Sequence, residues 1–87
     1  MVSKSITLTN KSGLHARPAS ELAKVASKCK SDILIKTGEK NINPKSVLNL
    51  MAAAITCGTE ITVECSGDTE EEDLKVIIEA IESGLGE

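Results

Sequence analysis

The sequence predicts a two-layer α+β domain, an open-faced sandwich in which three helices cover one face of a four-stranded antiparallel sheet. Short runs of alternating or continuous apolar residues indicate strands, and apolar residues that recur at spacings of three and four indicate helices. Along the 87 residues these patterns follow the order βαββαβα. A chain of this length makes one domain, residues 1–87, and this order favours a single sheet with its helices on one side.

The first elements are a strand and a helix joined by a short loop. Val2 to Leu8 is predicted as a strand with Ile6 and Leu8 on one face, and residues 10–13 as the loop that follows it. Residues 16–28 are predicted as an amphipathic helix, because apolar residues recur on one side of it while charged residues lie elsewhere. The apolar positions of this helix are Ala19, Leu22, Ala23 and Ala26.

The middle of the chain is predicted to form a hairpin and then a short helix. The two hairpin strands, residues 32–37 and 40–43, flank a Gly-Glu turn, and Pro44 ends their pairing. Ser46 is a good N-cap for a helix over residues 47–53.

The last elements are a strand and an amphipathic helix. Residues 60–65 alternate in polarity, so one set of side chains should point into the core. That set is Ile61, Val63 and Cys65. Residues 69–72, Thr-Glu-Glu-Glu, have capping-box spacing, and Gly84 is a typical helix stop. The apolar stripe between them is Leu74, Ile77, Ile78 and Ile81.

Composition argues against several classes of function. The net charge is −3 and the chain has no aromatic residue that could stack on bases, so general nucleic-acid binding is not expected. The longest apolar run, Leu50 to Ile55, is far shorter than the ~20 residues of a membrane span, and no secretory signal pattern is present. We therefore expect a soluble, cytoplasmic monomer that needs no cofactor.

The three cysteines, Cys29, Cys57 and Cys65, do not indicate a metal site or a disulfide framework. Their number is odd, and they lack a C-x-x-C pair or a second histidine nearby. They are predicted to act as small hydrophobic residues in a reducing compartment.

Charge is distributed unevenly along the chain. Residues 1–45 carry nine basic and three acidic side chains, whereas residues 46–87 carry one basic and ten acidic ones. If the lysines of the first helix are exposed, that face would attract an acidic partner. Two solvated faces without a partner explain the charge equally well.

His15 is the only histidine, and it stands where the loop meets the first helix. A helix start leaves backbone N–H groups without internal partners and carries partial positive charge, so it favours an anion such as phosphate. The same charge disfavours imidazolium, which leaves a neutral ring whose nitrogen lone pair can attack phosphorus. Arg17 adds a planar cation suited to phosphoryl oxygens, and Pro18 is tolerated in a first turn.

Taken singly, these residues have ordinary explanations, since a histidine near a helix start is commonly a surface or capping residue. The assembled segment Gly13-Leu14-His15-Ala16-Arg17-Pro18-Ala19 is more specific. It resembles the active-site segment of HPr, the histidine phosphocarrier of the bacterial sugar phosphotransferase system. The resemblance covers nearly the whole chain and includes a second site at Lys45-Ser46-Val47-Leu48.

The resemblance implies that phospho-enzyme I transfers a phosphoryl group to His15, and that sugar-specific IIA domains receive it from there. Arg17 would stabilise the phosphate, assisted by Ser12, Gly13 and Ala16 where the helix opens. It also implies the sheet order 1-4-2-3, which the residue pattern alone does not give. The site should be shallow and convex, because a tight grip would trap the phosphoryl group.

The short middle helix is apolar nearly all round, which leaves two possibilities. One layer of contacts cannot bury every side, so part of Val47, Leu48 and Met51 should be exposed as a docking surface. Alternatively, the whole helix is buried. The resemblance implies that these three residues contact partners.

Ser46 has a structural role as N-cap and a second role that the resemblance implies. In HPr proteins of low-GC Gram-positive bacteria, HPr kinase/phosphorylase phosphorylates the matching serine, and the product acts with a catabolite repressor protein. Asn49 and Ala54 depart from that group, in which glycine is usual at both places. Without a glycine after the helix, the sequence does not fix where the helix ends.

Two alternatives stay open. The first is a regulatory HPr paralogue that acts mainly through phosphorylated Ser46; such relatives are expected to lack the histidine, and His15 is present. The second is a ligand-binding module in which His15 only caps a helix, which would require a concave pocket. An independent hydrolase has little support, because no second nucleophile or telling carboxylate accompanies His15.

Overall fold

Four strands and three helices follow one another in the predicted order βαββαβα. The computed structural model describes residues 1–9, 13–14, 16–53 and 55–85, with Ala16 described by its backbone alone. The strands are β1 (Val2–Thr7), β2 (Asp32–Thr37), β3 (Lys40–Ile42) and β4 (Glu60–Ser66). The helices are α1 (Ala16–Ser27), α2 (Val47–Ala52) and α3 (Glu70–Glu82).

The strands form one antiparallel sheet in the order β1-β4-β2-β3. The order implied by the family resemblance is therefore confirmed. β4 lies between β1 and β2, with Ile61 opposite Ile6 on one side and Val63 opposite Ile35 on the other. β4 is the last of the four strands in the sequence, and it is one of the two central strands of the sheet.

The helices pack on one face of this sheet and close an aliphatic core. Every predicted inward position of β4 and α1 is buried, and so are Ile77, Ile78 and Ile81 of α3. Leu74 is half-buried against the same core. The two-layer open-faced sandwich is confirmed, and its core uses no aromatic side chain. In the described ranges, no helix combines the length and apolar character that a membrane crossing requires.

The prediction for the start of α3 is wrong, and the prediction for its end is confirmed. The predicted capping box at Thr69 is wrong, because the Thr69 side chain makes no capping bond to the backbone. Its Oγ1 donates instead to Oδ2 of Asp73, at 2.9 Å. Gly84 does end the helix: its φ is +92°, its N–H donates to Ile81, and the N–H of Leu85 donates to Ala80. These two bonds make a Schellman motif, which satisfies the last carbonyls of the helix.

Asp73 lies at the centre of a buried polar cluster that the sequence did not predict. Only 8% of it is exposed, and its Oδ2 also accepts from the backbone N–H of Ser31 at 3.0 Å. Hydrogen bonds from Ser31 and Thr69 hold the pKa of the Asp73 carboxyl below its ordinary value. The carboxylate therefore joins the first turn of α3 to the residue that precedes β2.

The cysteines fall into two environments. Cys29 and Cys65 are buried, as predicted, whereas Cys57 is exposed, so its predicted role as a hydrophobic residue is wrong. Cys57 lies in the turn between α2 and β4, outside the helices and strands that form the core. Burial, with the nearby Asp73 charge, raises the pKa of the Cys29 thiol and raises the pKa of Cys65 to about 11.

Thiol labelling should therefore distinguish the three cysteines. Because its side chain is exposed, Cys57 should react rapidly with a maleimide or disulfide reagent at neutral pH. Cys29 and Cys65 should react only after denaturation. Mass spectrometry of labelled native and denatured protein measures this, and labelling of Cys65 in the native state would contradict the described core.

Candidate functional site

The predicted phosphoacceptor His15 and its neighbour Ser12 lie outside the described residues. The chain on both sides of His15 is described. Gly13 and Leu14 precede it and are buried, and α1 begins directly after it at Ala16. Position 15 is therefore bounded by a fixed backbone before it and a helix start after it.

Gly13 is held against the turn that joins α2 to β4. The N–H of Leu14 donates to the carbonyl of Ile55 at 2.9 Å, so the backbones are in direct contact. Gly13 has φ +68°, and a Cβ at this position would clash with the Ile55 oxygen and come within 2.9 Å of the Thr56 Cα. Both the backbone angle and the available space require glycine here.

The same turn also holds the chain before the loop. Residues 55–59, hereafter the bracing turn, contact Leu8 through two backbone bonds. Leu8 N–H donates to Thr59 at 2.9 Å, and Gly58 N–H donates to Leu8 at 2.8 Å. The hydroxyls of Thr56 and Thr59 lie 3.2 Å apart within the turn. One structural element therefore contacts the chain at Leu8 and again at Leu14.

The start of α1 has the properties of an anion-binding helix end. Its first turn contains no acidic residue, and Arg17 is exposed there. Pro18, in the same turn, is buried and lacks an N–H that would need a partner. Free amides of a first turn, with partial positive charge and a neighbouring guanidinium, attract phosphoryl oxygens. The predicted phosphate-binding residues Gly13, Ala16 and Arg17 therefore lie within five positions of one another in the sequence, on the described backbone before and after position 15.

α2, which packs against α1, presents an apolar surface. Leu48 is 79% exposed and Met51 44% exposed, while Val47 is half-buried against the core. Leu50 points inward and is fully buried. The expectation that part of this helix is exposed is confirmed, and full burial of the helix is wrong. Val47, Leu48 and Met51 are hereafter the α2 patch.

Ser46 caps α2 as predicted. Its Oγ accepts from the N–H of Asn49 at 3.3 Å, and its backbone is extended with φ −110°. The helix ends at Ala52, one residue before the predicted end, and Ala53 has right-handed φ of −70°. The next residue, Ala54, lies outside the described residues.

Two lysines connect the α2 region to the rest of the fold, and sequence reasoning missed both contacts. Lys45 Nζ donates to the carbonyl of Ser31 at 3.1 Å, and Lys40 Nζ donates to the carbonyl of Ala53 at 3.0 Å. The spacing of residues along the sequence predicts neither contact, because each depends on how β2, β3 and α2 pack together.

Clefts occur at the start of α3, between β1 and α3, and between β3 and α2. None of these three clefts is lined by Gly13, Leu14 or Arg17. These three clefts are therefore not the pocket that a ligand-binding module built around the first helix would require.

Known proteins resemble the whole chain. Residues 2–83 match the family model described as "PTS HPr component phosphorylation site". The Phosphocarrier protein HPr of Mycoplasma capricolum subsp. capricolum is 49% identical over 77 residues, which cover 88% of this chain and 86% of that protein. The HPr-like protein Crh of Bacillus subtilis is 36% identical over 75 residues, covering 86% and 88%. The crystal structure of HPr-C-His from Thermoanaerobacter tengcongensis has a TM-score of 0.94 at 38% identity and covers 100% of this chain and 98% of that one.

The TM-score of 0.94 agrees with the sheet order β1-β4-β2-β3 of the described strands. The family model spans residues 2–83, a range that includes both the 13–19 segment and the 45–48 segment. The chain therefore belongs to the HPr phosphocarrier family of the phosphotransferase system.

Proposed function

We propose that this protein carries a phosphoryl group on His15 from phospho-enzyme I to sugar-specific IIA domains. One observation supports this most strongly: His15 stands between the braced Leu14 and the first residue of α1, in a chain of the HPr family. Under this proposal the protein is a carrier that is itself modified and restored, and it does not turn over a substrate alone.

The transfer exchanges one phosphorus–nitrogen bond for another. The lone pair of the neutral His15 ring, through the Nδ1 that the family resemblance indicates, forms a bond to phosphorus as the bond to the donor histidine breaks. The electron pair of the broken bond returns to the donor nitrogen. Arg17 and the first-turn amides of α1 stabilise the charge on the phosphoryl oxygens during the exchange. An exposed site then lets a second protein remove the group.

Docking would use the α2 patch together with exposed basic residues, which are Arg17 and Lys24 of α1 and Lys28 directly after it. These features fit a partner that offers an apolar surface bordered by carboxylates. A phosphate on Ser46 would add about −1.5 to −2 charges next to the patch and weaken such docking. Ser46 phosphorylation by HPr kinase/phosphorylase is therefore proposed as the regulatory modification.

The test is incubation with enzyme I and phosphoenolpyruvate, followed by intact-mass analysis and treatment with acid. The protein should gain one acid-labile phosphoryl group, and the variant His15→Ala should gain none while remaining folded. Ser46→Ala is the matched control, because it removes the other proposed phosphorylation site and should still be labelled. An acid-labile group on His15→Ala would refute the assignment.

The Crh relatives make a regulatory paralogue the second candidate. A regulatory paralogue would act mainly through phosphorylated Ser46 as the partner of a transcriptional repressor. The two functions predict opposite labelling results. Labelling of Ser46 by the kinase without any acceptance from phospho-enzyme I would favour the regulatory paralogue, whereas acceptance on His15 favours the carrier.

A further inference from the structure

α2 carries the docking surface but has little stability of its own. It has six residues, far fewer than the ~12 that an isolated helix needs for marginal stability. Its last turn contains no basic residue, and it ends on Ala53 in a right-handed conformation instead of a glycine cap. Leu50 is the residue within the helix that is fully buried. The C-terminal end of α2 therefore needs support from another element.

Lys40 supplies that support from the sheet. Its Nζ donates to the carbonyl of Ala53 at 3.0 Å, where the helix ends. A cation at this end offsets the partial negative charge of unpaired carbonyls, and a charged donor makes a stronger bond than a neutral one. Lys40 is the first residue of β3 and pairs with Thr37 of β2, so its backbone is fixed by the sheet.

The same short segment also contacts the residue that precedes the predicted phosphoacceptor. Two residues after Ala53, the carbonyl of Ile55 accepts the N–H of Leu14, which directly precedes His15. The α2 patch and the support for position 14 therefore belong to one continuous piece of chain. A displacement of its middle, at Ala53, would change the distance between the docking surface and the transfer site.

We propose that Lys40 is a positioning residue for phosphoryl transfer, which fixes the end of α2 and thereby the placement of the α2 patch relative to the His15 segment. The inference rests on the proposed carrier function. Lys40 acts through Ala53, to whose carbonyl it donates. Its loss should weaken docking more than it slows transfer within the docked complex.

A second explanation makes Lys40 only one of several positive charges that attract an acidic partner. Lys30 is the matched control, because it is an exposed lysine in the connection between α1 and β2. Lys30→Met and Lys40→Met remove the same charge. Lys40→Arg keeps the charge and the donors, and it should restore the contact.

The experiment measures backbone amide exchange and transfer kinetics on the full chain of all three variants. In Lys40→Met, the amide of Ala53, which donates to Asn49 at 3.1 Å, should exchange about fivefold faster, while β4 amides are unchanged. The KM for phosphorylation by phospho-enzyme I should rise about fivefold, with kcat within about twofold of the wild type. Lys40→Arg should behave like the wild type, and Lys30→Met should leave amide exchange unchanged.

Three results would overturn the proposal: equal KM changes in Lys40→Met and Lys30→Met, unchanged exchange at Ala53 in Lys40→Met, or faster exchange of the whole sheet. Failure of the proposed function appears differently, as a wild-type protein that accepts no phosphoryl group. The exchange measurement needs no partner, so it decides whether Lys40 holds α2 independently of enzyme I.

Discussion

The variant Gly13→Ala should have a free energy of unfolding about 2–5 kcal/mol lower than the wild type. Two separate effects add at this position. A left-handed φ of +68° is strained for alanine, and the new Cβ would clash with the backbone of Ile55 and Thr56. Because the clashing atoms are backbone, they cannot move aside as a side chain could. Urea unfolding followed by far-ultraviolet circular dichroism measures the change, since the chain has no aromatic residue for fluorescence.

Gly38→Ala separates the two effects. Gly38 also has a positive φ, +57°, but a Cβ there would have no heavy atom within 4 Å. This control should lose only the conformational part, about 1 kcal/mol. Equal losses in both variants would show that the Gly13 backbone does not lie against the bracing turn. If Gly13→Ala folds, it should also accept phosphoryl groups more slowly, because the segment before His15 has shifted.

The variant Asp73→Ala should be destabilised by about 2–4 kcal/mol, since it leaves the buried N–H of Ser31 without an acceptor. The Thr69 hydroxyl loses its acceptor as well, but it is only partly buried and can turn towards water. Asp68→Ala is the control, because Asp68 is an exposed carboxylate two residues before α3. It should change stability by less than about 0.5 kcal/mol. Urea unfolding measures both variants, and a small effect at Asp73 would contradict the buried cluster.

The lowered pKa of Asp73 also predicts how the free energy of unfolding depends on pH. Its pKa is lowered in the folded state, so its carboxylate stabilises the fold fully above the unfolded-state pKa near 3.8. That contribution is lost as the pH falls through the folded-state pKa. The wild type should therefore lose more stability than Asp73→Asn between about pH 5 and pH 2. Parallel pH dependences of the two proteins would contradict this assignment.

The sequence predicted the elements well because their signals are local. The periodic apolar positions of α1, the Ser46 cap and the Gly84 stop each depend on residues within a few positions of one another. The capping box at Thr69 was wrong because Asp73, one turn further on, competes for the same hydroxyl. Local patterns identify possible bonds, but the packed structure selects among them.

Contacts between distant segments could not be derived in this way. Lys40 bonds to Ala53 and Ser31 bonds to Asp73 only because the sheet and helices bring them together. The sheet order came from the family resemblance, not from the residue pattern. For the candidate site, exposure of Arg17 and of the α2 patch agrees with the sequence, whereas the bracing of Gly13 by Ile55 appears only in the fold.

The position of β4 has a consequence for how this chain folds during its synthesis. Both of its neighbours, β1 and β2, precede it in the chain, and only the β2–β3 hairpin can pair without it. A nascent chain that has not yet released residue 66 from the ribosome therefore cannot assemble the sheet or close the core. Until then its apolar segments stay available to chaperones, and the native structure forms late, once translation has passed β4.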